Sequence, residues 1–505
     1  MNRCSLLTSA LLAATTPLLT QTTHAIDTWK GGRGDSWTED SNWVDGTAPD
    51  ALTSSNQLTF YETGANNLTN YLGSISFRIN SLSFNNNADE NVAIGLYYRD
   101  KNGSQFESAL NFNSIGSDKA GDLVLPSITV DQDAGGEFTI GSGGTGTVKL
   151  NNHLTVTHNG TNDLTIAGSI SDNVLSPSSI TKEGSGRLIL TNTNNSYGGG
   201  TTITGGTLGF AAGSLGTTGN IMVDNGTLQW NAGNSQDVSS RLILGGTATL
   251  DTNGNDVTLK QLVGANSSLT KAGNGNLTLS AAAITDTGTT TVNGGNLILT
   301  AANTYTGTTT VNGGTLTLSG SGSISESSVI VVGGEESSGA ILDASARNTG
   351  SWEIRKGQTL KGIGTVQVGS LVINGIHAAG NGSGLQTIDG ATTYGATSIF
   401  EWDLAANVDT AAGGVRGSTY DAVDINASMT VMDGARFRVI QNKDLDFTNV
   451  FWTDDRTWSD IFNVTGGVTD WAANTGVAVY DTSGLLKDVS SFGSFAISGS
   501  TLNWT

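Results

Sequence analysis

Few side chains in this 505-residue sequence are able to do acid–base, nucleophilic or metal chemistry. Beyond the N-terminal segment the histidines are His153, His158 and His377. None stands in the His-Glu-x-x-His or a comparable spacing that seats a metal ion. His153 and His158 flank one short strand and read as surface residues. Asp251-Thr252-Asn253-Gly254-Asn255-Asp256 has the acids and glycine of a calcium loop, but Leu262 stands where the bidentate glutamate of such a loop belongs. That segment reads as a hydrogen-bonded turn. Asp421, Asp424, Asp444 and Asp446 are near enough in sequence to converge on a divalent cation, yet scattered acids are the plainer reading. Asp454-Asp455-Arg456 reads as a salt-bridged loop. Arg33-Gly34-Asp35 spells an integrin-binding triplet, in a Trp- and Gly-rich context that explains the residues without a receptor. Polysaccharide lyases and hydrolases need clustered carboxylates with Arg, Lys or His beside them, and no such cluster stands out. The sequence therefore assigns no catalytic residue and no cofactor, with a divalent cation as the one metal to consider.

The elements that must carry these residues begin after an export signal. Arg3 precedes an apolar run from Leu6 to Leu19, and the segment closes on Thr23-His24-Ala25, a small-x-small end open to a signal peptidase. The run is too short and too threonine-rich to span a bilayer. Cys4, the one cysteine, lies inside the signal and ahead of the apolar run, so residues 26–505 have no disulfide and no thiol metal site. The net charge is −21, and losing Arg3 makes it −22 (−21 − 1). Such an acidic field argues against nucleic acid and anionic lipid as partners. No later apolar run is long enough to cross a membrane as a helix.

The middle of the chain repeats itself. Gly307-Thr308-Thr309-Thr310-Val311-Asn312-Gly313-Gly314-Thr315-Leu316-Thr317-Leu318 is nearly copied at 288–299 and, more loosely, at 200–208. The glycine opening each final strand falls at 186, 206, 226, 246, 275, 295 and 314, with differences of 20, 20, 20, 29, 20 and 19. The long interval reads as one rung with an extended loop from Asp251 to Asn255. Alternation about the turn places Val311, Leu316 and Leu318 inward and Thr315 and Thr317 outward. Stacking then sets Val292 under Val311, Leu297 under Leu316 and Leu299 under Leu318. Asn293 and Asn312 form an amide ladder at the corner. Proline is absent after Pro177, as a continuous ladder requires. A stack of fifteen to twenty rungs would be on the order of 70–95 Å long. A string of antiparallel sandwiches is the rival architecture, but the twenty-residue spacing divides the domain-sized interval.

These readings predict an all-β chain, a parallel β-helix or solenoid with N- and C-terminal β caps. Residues 1–25 are the signal peptide, 26–125 a tryptophan-containing cap, 126–390 the β-helix repeats (clearest at 180–320) and 391–505 a second cap. The caps are marked by Trp29, Trp37 and Trp43 at one end and by Phe400, Trp402, Phe451 and Trp452 at the other.

Asn303-Thr304-Tyr305-Thr306-Gly307 running into Thr308–Leu318 resembles the autotransporter-associated β-strand repeat, and Asn195-Ser196-Tyr197-Gly198-Gly199 opens a second copy. Residues 375–384 and Ser418-Thr419-Tyr420-Asp421 resemble segments that usually follow such repeats. The resemblance implies a right-handed parallel β-helix passenger, although no translocator barrel is recognisable in the chain. The function expected is that of an exported structural or adhesive protein of the cell surface of a Gram-negative-type bacterium, secreted, surface-held or periplasmic. Extracellular polysaccharide, a host or matrix surface, or a second copy are its expected partners. The alternative is a polysaccharide-binding or polysaccharide-cleaving β-helix. Cleavage after Ala25 predicts a mature chain starting at Ile26, and the intact mass of the exported protein checks it: a mass retaining residues 1–25 contradicts the signal.

Overall fold

The computed structural model describes residues 26–505 except 30–35, 51–55, 61–68, 73–75, 85–91, 100–104, 118–122, 143–145, 173–176, 265–266, 281–283, 285–286, 335–338, 381, 406, 412, 442–445 and 472–475. The signal segment, the Arg33-Gly34-Asp35 triplet and Asp444 lie outside the described residues.

Short strands follow one another around a coil of three sides. The first side is a ten-stranded parallel sheet from Ile26–Trp29 to Val263–Gly264. The second runs in one open line of register from Thr69–Tyr71 to Gly476–Asp481 and ends on the antiparallel strand Leu486–Lys487. Among the described residues it has 18 strands, 17 of them parallel (18 − 1). At roughly 4.8 Å per strand those 17 make a column about 75–80 Å long. The third side has strands from Ser76–Ile79 to Ser169–Asp172 and again from Val257–Leu259 to Phe462–Val464. Among the described residues the only helical pieces are two 3-10 turns, Asp40–Asn42 and Val450–Thr453. The chain is a parallel β-helix, and right-handed, the hand that parallel crossovers take.

Like stacks on like, as the alternation predicts. Val292 pairs with Val311, Leu297 with Leu316 and Leu299 with Leu318, all buried. Each such Leu contributes roughly 1.5–3 kcal/mol by leaving water. Asn312 donates from Nδ2 to Asn293 Oδ1 at 3.0 Å, forming the corner ladder. Gly314, and not Gly313, takes the left-handed conformation (φ +70°), and a Cβ there would lie 2.2 Å from the Gly295 carbonyl. The second glycine of the pair is thus the one the corner requires.

The 29-residue interval is not an enlarged loop. From Gly246 the chain makes strand Thr247–Asp251 on the second side, Val257–Leu259 on the third, Val263–Gly264 on the first and Ser268–Ala272 back on the second. The rung closes in 21 residues, Thr247 pairing with Ser268 (268 − 247). The repeat then resumes one side further on. Before the interval its two strands, such as Thr201–Ile203 and Thr207–Phe210, lie on the first and second sides, with the following loop over the third. After it, Thr290–Val292 and Asn296–Leu299 lie on the second and third sides.

Tryptophan clusters lie in both terminal parts of the described chain. Trp29, Trp37 and Trp43 are buried in edge-to-face contact, Trp29 and Trp43 having ring centres 5.3 Å apart. At the other end Trp452, Trp458 and Trp504 pack with Phe447 and Phe495 over a three-stranded antiparallel sheet. Before that cap the coil widens. Strand Thr365–Ile373 turns a corner with a register break between Gln367 and Ser370, and its far half pairs with Ser351–Ile354, which starts an additional face.

Leu316→Asp places a charge in the column and is expected to cost about 3–4 kcal/mol, whereas Thr315→Asp stays within about 0.5 kcal/mol. Thermal unfolding of the two variants distinguishes them, and equal shifts contradict the inward and outward assignments.

Candidate functional site

Among the described residues the acids singled out by spacing do not converge. Asp251 caps its own turn, accepting from Asn253 N at 2.8 Å, and Asp256 accepts from Asn276 N at 3.0 Å, so this segment is the hydrogen-bonded turn it resembles. Asp424 faces Arg416 at 2.9 Å and Asn463 at 3.0 Å. Asp446 is exposed and bonded to Thr448. Asp454 pairs with Arg456 at 3.3 Å. Among the described residues no three His, Cys, Asp or Glu side chains are grouped to hold a metal ion.

Two histidines are enclosed. His158, expected at the surface, is fully buried: it occupies an inward position of strand Leu154–His158, where its Nδ1 accepts from Gly160 N at 3.1 Å. A Cβ on Gly186 would lie 2.3 Å from that Nδ1, so the glycine makes room for the imidazole. Spacing marks only that the two histidines bracket a strand, whereas the period-two alternation Leu154, Val156, His158 carried the inward signal. His377 is also fully buried, its Nε2 donating to Gln386 Oε1 and its Nδ1 accepting from the Tyr394 hydroxyl, both at 2.7 Å. Gln386 Oε1 can only accept, which places a proton on Nε2, and burial favours the neutral ring. Burial, joined at His158 by the Lys182 ammonium, lowers both imidazoles to about 4.

Asp421 is fully buried too. Its carboxyl accepts from Gly384 N at 2.7 Å and Asp403 N at 2.8 Å, tying residues 375–384 to Ser418-Thr419-Tyr420-Asp421. Burial, with the Asp403 charge beside it, pushes this carboxyl well above the usual range, and burial raises Asp403 to about 6.

The most distinctive polar groups were not singled out by the sequence. Lys182 and Lys271 point into the apolar column, stacked between Val156 and Ile203 and between Leu250 and Val292. Both are 0% exposed. Lys182 Nζ donates to the carbonyls of Glu183, Gly184 and Gly205 at 2.6, 2.9 and 3.3 Å. Lys271 Nζ repeats the cage on Ala272, Gly273 and Gly294 at 2.8, 2.7 and 3.1 Å. Each ammonium joins one corner to the corner of the following rung. Burial lowers both to about 8. The signal was Thr-Lys-x-Gly-x-Gly, present at 181–186 and 270–275. The Asn-x-Tyr elements are also internal: Tyr197 and Tyr305 hydroxyls meet Thr201 and Thr309 at 2.7 and 2.6 Å, and Asn195 and Asn303 receive the amides of Ile170 and Ile284, both at 2.7 Å.

Open clefts interrupt the surface of the described residues, two of them large enough to consider. One of about 550 Å³ lies over Phe437, with Arg438 already held by Glu401 at 2.7 Å and by the Tyr480 ring. The other, about 420 Å³, lies between Ser323, Arg347 and the Ser351–Ile354 strand. Of the ten tryptophans nine are buried and Trp471 is half-buried.

The described residues form a parallel β-helix of repeated rungs. The passenger-associated-transport-repeat is present at residues 180–209, 269–297 and 294–318, a repeat typical of autotransporter passenger and adhesin proteins. Neither a curated protein nor a solved structure matches the chain.

The buried histidines make stability depend on pH in a direction that can be stated. A ring with a folded pKa of about 4 binds fewer protons than in the unfolded chain, where it titrates near 6.5. Its contribution is present above about 6.5 and lost as pH falls towards 4. Asp403 and Asp421, raised in the folded state, run the opposite way, so the difference between variants carries the signal. The urea midpoint of wild type is expected to exceed that of His377→Gln at pH 7 and to approach it near pH 4; a gap constant with pH contradicts the neutral ring.

Proposed function

We propose that this chain is an exported structural or adhesive solenoid displayed at a bacterial cell surface. One observation carries the reading: the passenger-type repeats coincide with the stretch in which matched side chains stack rung on rung and both lysines are spent on backbone carbonyls. A long rod clothed in Thr, Ser and Asn offers many weak contacts, each rung adding to the same face. Its net charge of −21 keeps nucleic acid and anionic lipid away. Among the described residues no helix is long and apolar enough to cross a membrane.

The enzymatic alternative draws less support. Sugar-cleaving sites need acids that a substrate reaches and rings on which sugars stack. Here Asp421, His158 and His377 are enclosed, and nine of the ten tryptophans are buried. Incubating the mature protein with a panel of polysaccharides is expected to release neither unsaturated nor reducing ends. Fractionation of the producing cells is expected to find it on the surface or in the medium. Product release overturns the structural reading, and a purely cytoplasmic pool overturns export.

A further inference from the structure

We infer that the cleft between the Ser323–Ser325 turn and the open edge of the Ser351–Ile354 strand is a binding site for an acidic saccharide, a short sugar chain bearing uronate carboxylates. This goes beyond the scaffold reading and does not depend on it.

The site follows from the widening of the coil. Ser351–Ile354 is paired on one side only, with residues 370–373 of the long strand. The carbonyls of Gly350 and Ile354 accept from Ser370 N at 3.1 Å and Asn374 N at 2.8 Å. By the alternation of a parallel ladder, the peptide groups of Ser351 and Glu353 therefore face the other way, into the cleft. With a volume of about 420 Å³ it is large enough for two or three sugar rings.

Its charge is unusual for this chain. The lining carries Arg347, Arg355 and Glu353, a net of +1 (2 − 1), in a protein whose net charge is −21. Arg355 is half-exposed and paired to Glu326 at 3.1 Å, and Glu353 accepts from Asn374 Nδ2 at 2.8 Å. Among the described residues no carboxylate pairs with Arg347. Its Nε donates to Gly322 O at 3.0 Å and its Nη1 to Ser351 O at 2.7 Å, both neutral acceptors, which leaves Nη2 without a protein acceptor among the described residues. A fixed, partly buried guanidinium with a free terminal nitrogen calls for an anion. The hydroxyls of Ser323, Ser325 and Thr349 and the Asn374 amide can hydrogen-bond a polyol, and Trp352 and Val372 complete the lining with apolar surface. An added peptide strand fits less well, because the Ser351 carbonyl is already taken by Arg347 and by Thr349 Oγ1 at 2.9 Å.

Calorimetric titration of the mature protein with trigalacturonate, its methyl ester, sodium acetate and tetraglutamate tests the assignment. Trigalacturonate is expected to bind at least about ten-fold more tightly than each of the others, a difference of about 1.4 kcal/mol. Arg347→Gln is expected to remove that preference. Because Arg347 also holds two carbonyls, Ser325→Glu serves as the second variant: it leaves those bonds intact and places a negative charge at the rim, with the same loss expected. Equal binding of acid and ester, acetate binding as tightly as the trimer, tighter binding of the peptide, wild-type affinity in both variants, or no heat with trigalacturonate up to about 10 mM each overturn the proposal. Product release and cell fractionation, which test the scaffold reading, are unaffected by any of these outcomes.

Discussion

Each rung of this coil bonds its backbone to the rungs before and after it, and that requirement governs what else the chain contains. A parallel ladder repeats at one strand spacing, so a side chain facing inward meets the side chain one rung away and little else. Val292 over Val311 and Leu297 over Leu316 are the direct result. The absence of proline after Pro177 follows as well, since a missing N–H would break the ladder between two rungs. So does Gly314, where the Gly295 carbonyl comes too close to admit a Cβ.

The same requirement creates a difficulty at the corners. There the chain leaves the ladder and its carbonyls turn inward, away from water. The two caged lysines answer it: a long apolar stem continues the hydrophobic column, and the ammonium satisfies three carbonyls drawn from successive corners. Asn195 and Asn303 do the equivalent on the loop side of the rung, receiving amides that no strand pairs. The ionisable and polar groups that look like chemistry in a sequence are in these places part of the scaffold.

Much of the column was legible because its signal is periodic. Alternation about Asn312-Gly313-Gly314 identifies which of Thr315 and Leu316 faces in, and the near-copies identify what stacks on what. Lys182 and Lys271 were missed because a lysine in an alternating strand reads as outward; only the carbonyl cage, made by residues brought together across a rung, makes the inward position tolerable. His158 was misplaced for a related reason, since the space it fills is opened by Gly186 from another rung. The cleft at Arg347 depends on a register break within Thr365–Ile373, and no local pattern marks such a break. The long interval between Gly246 and Gly275 was visible as a number, but its meaning required knowing which side each strand occupies.

That interval has a consequence for how such a chain evolves. Corresponding residues of the two repeat blocks, Gly206 and Gly295, are 89 residues apart (295 − 206), and the later block is turned by one side of the coil relative to the earlier. Unequal crossing-over between copies within one block adds or removes whole rungs and leaves every downstream surface facing its original direction. A crossover between the blocks instead joins matching strands while deleting the turn, and rotates everything after the junction, the Arg347 cleft included, about the axis by one side. Gene rearrangement of that kind would re-aim the distal part of the rod against the proximal part, with loss of the 89 residues between the two junction points.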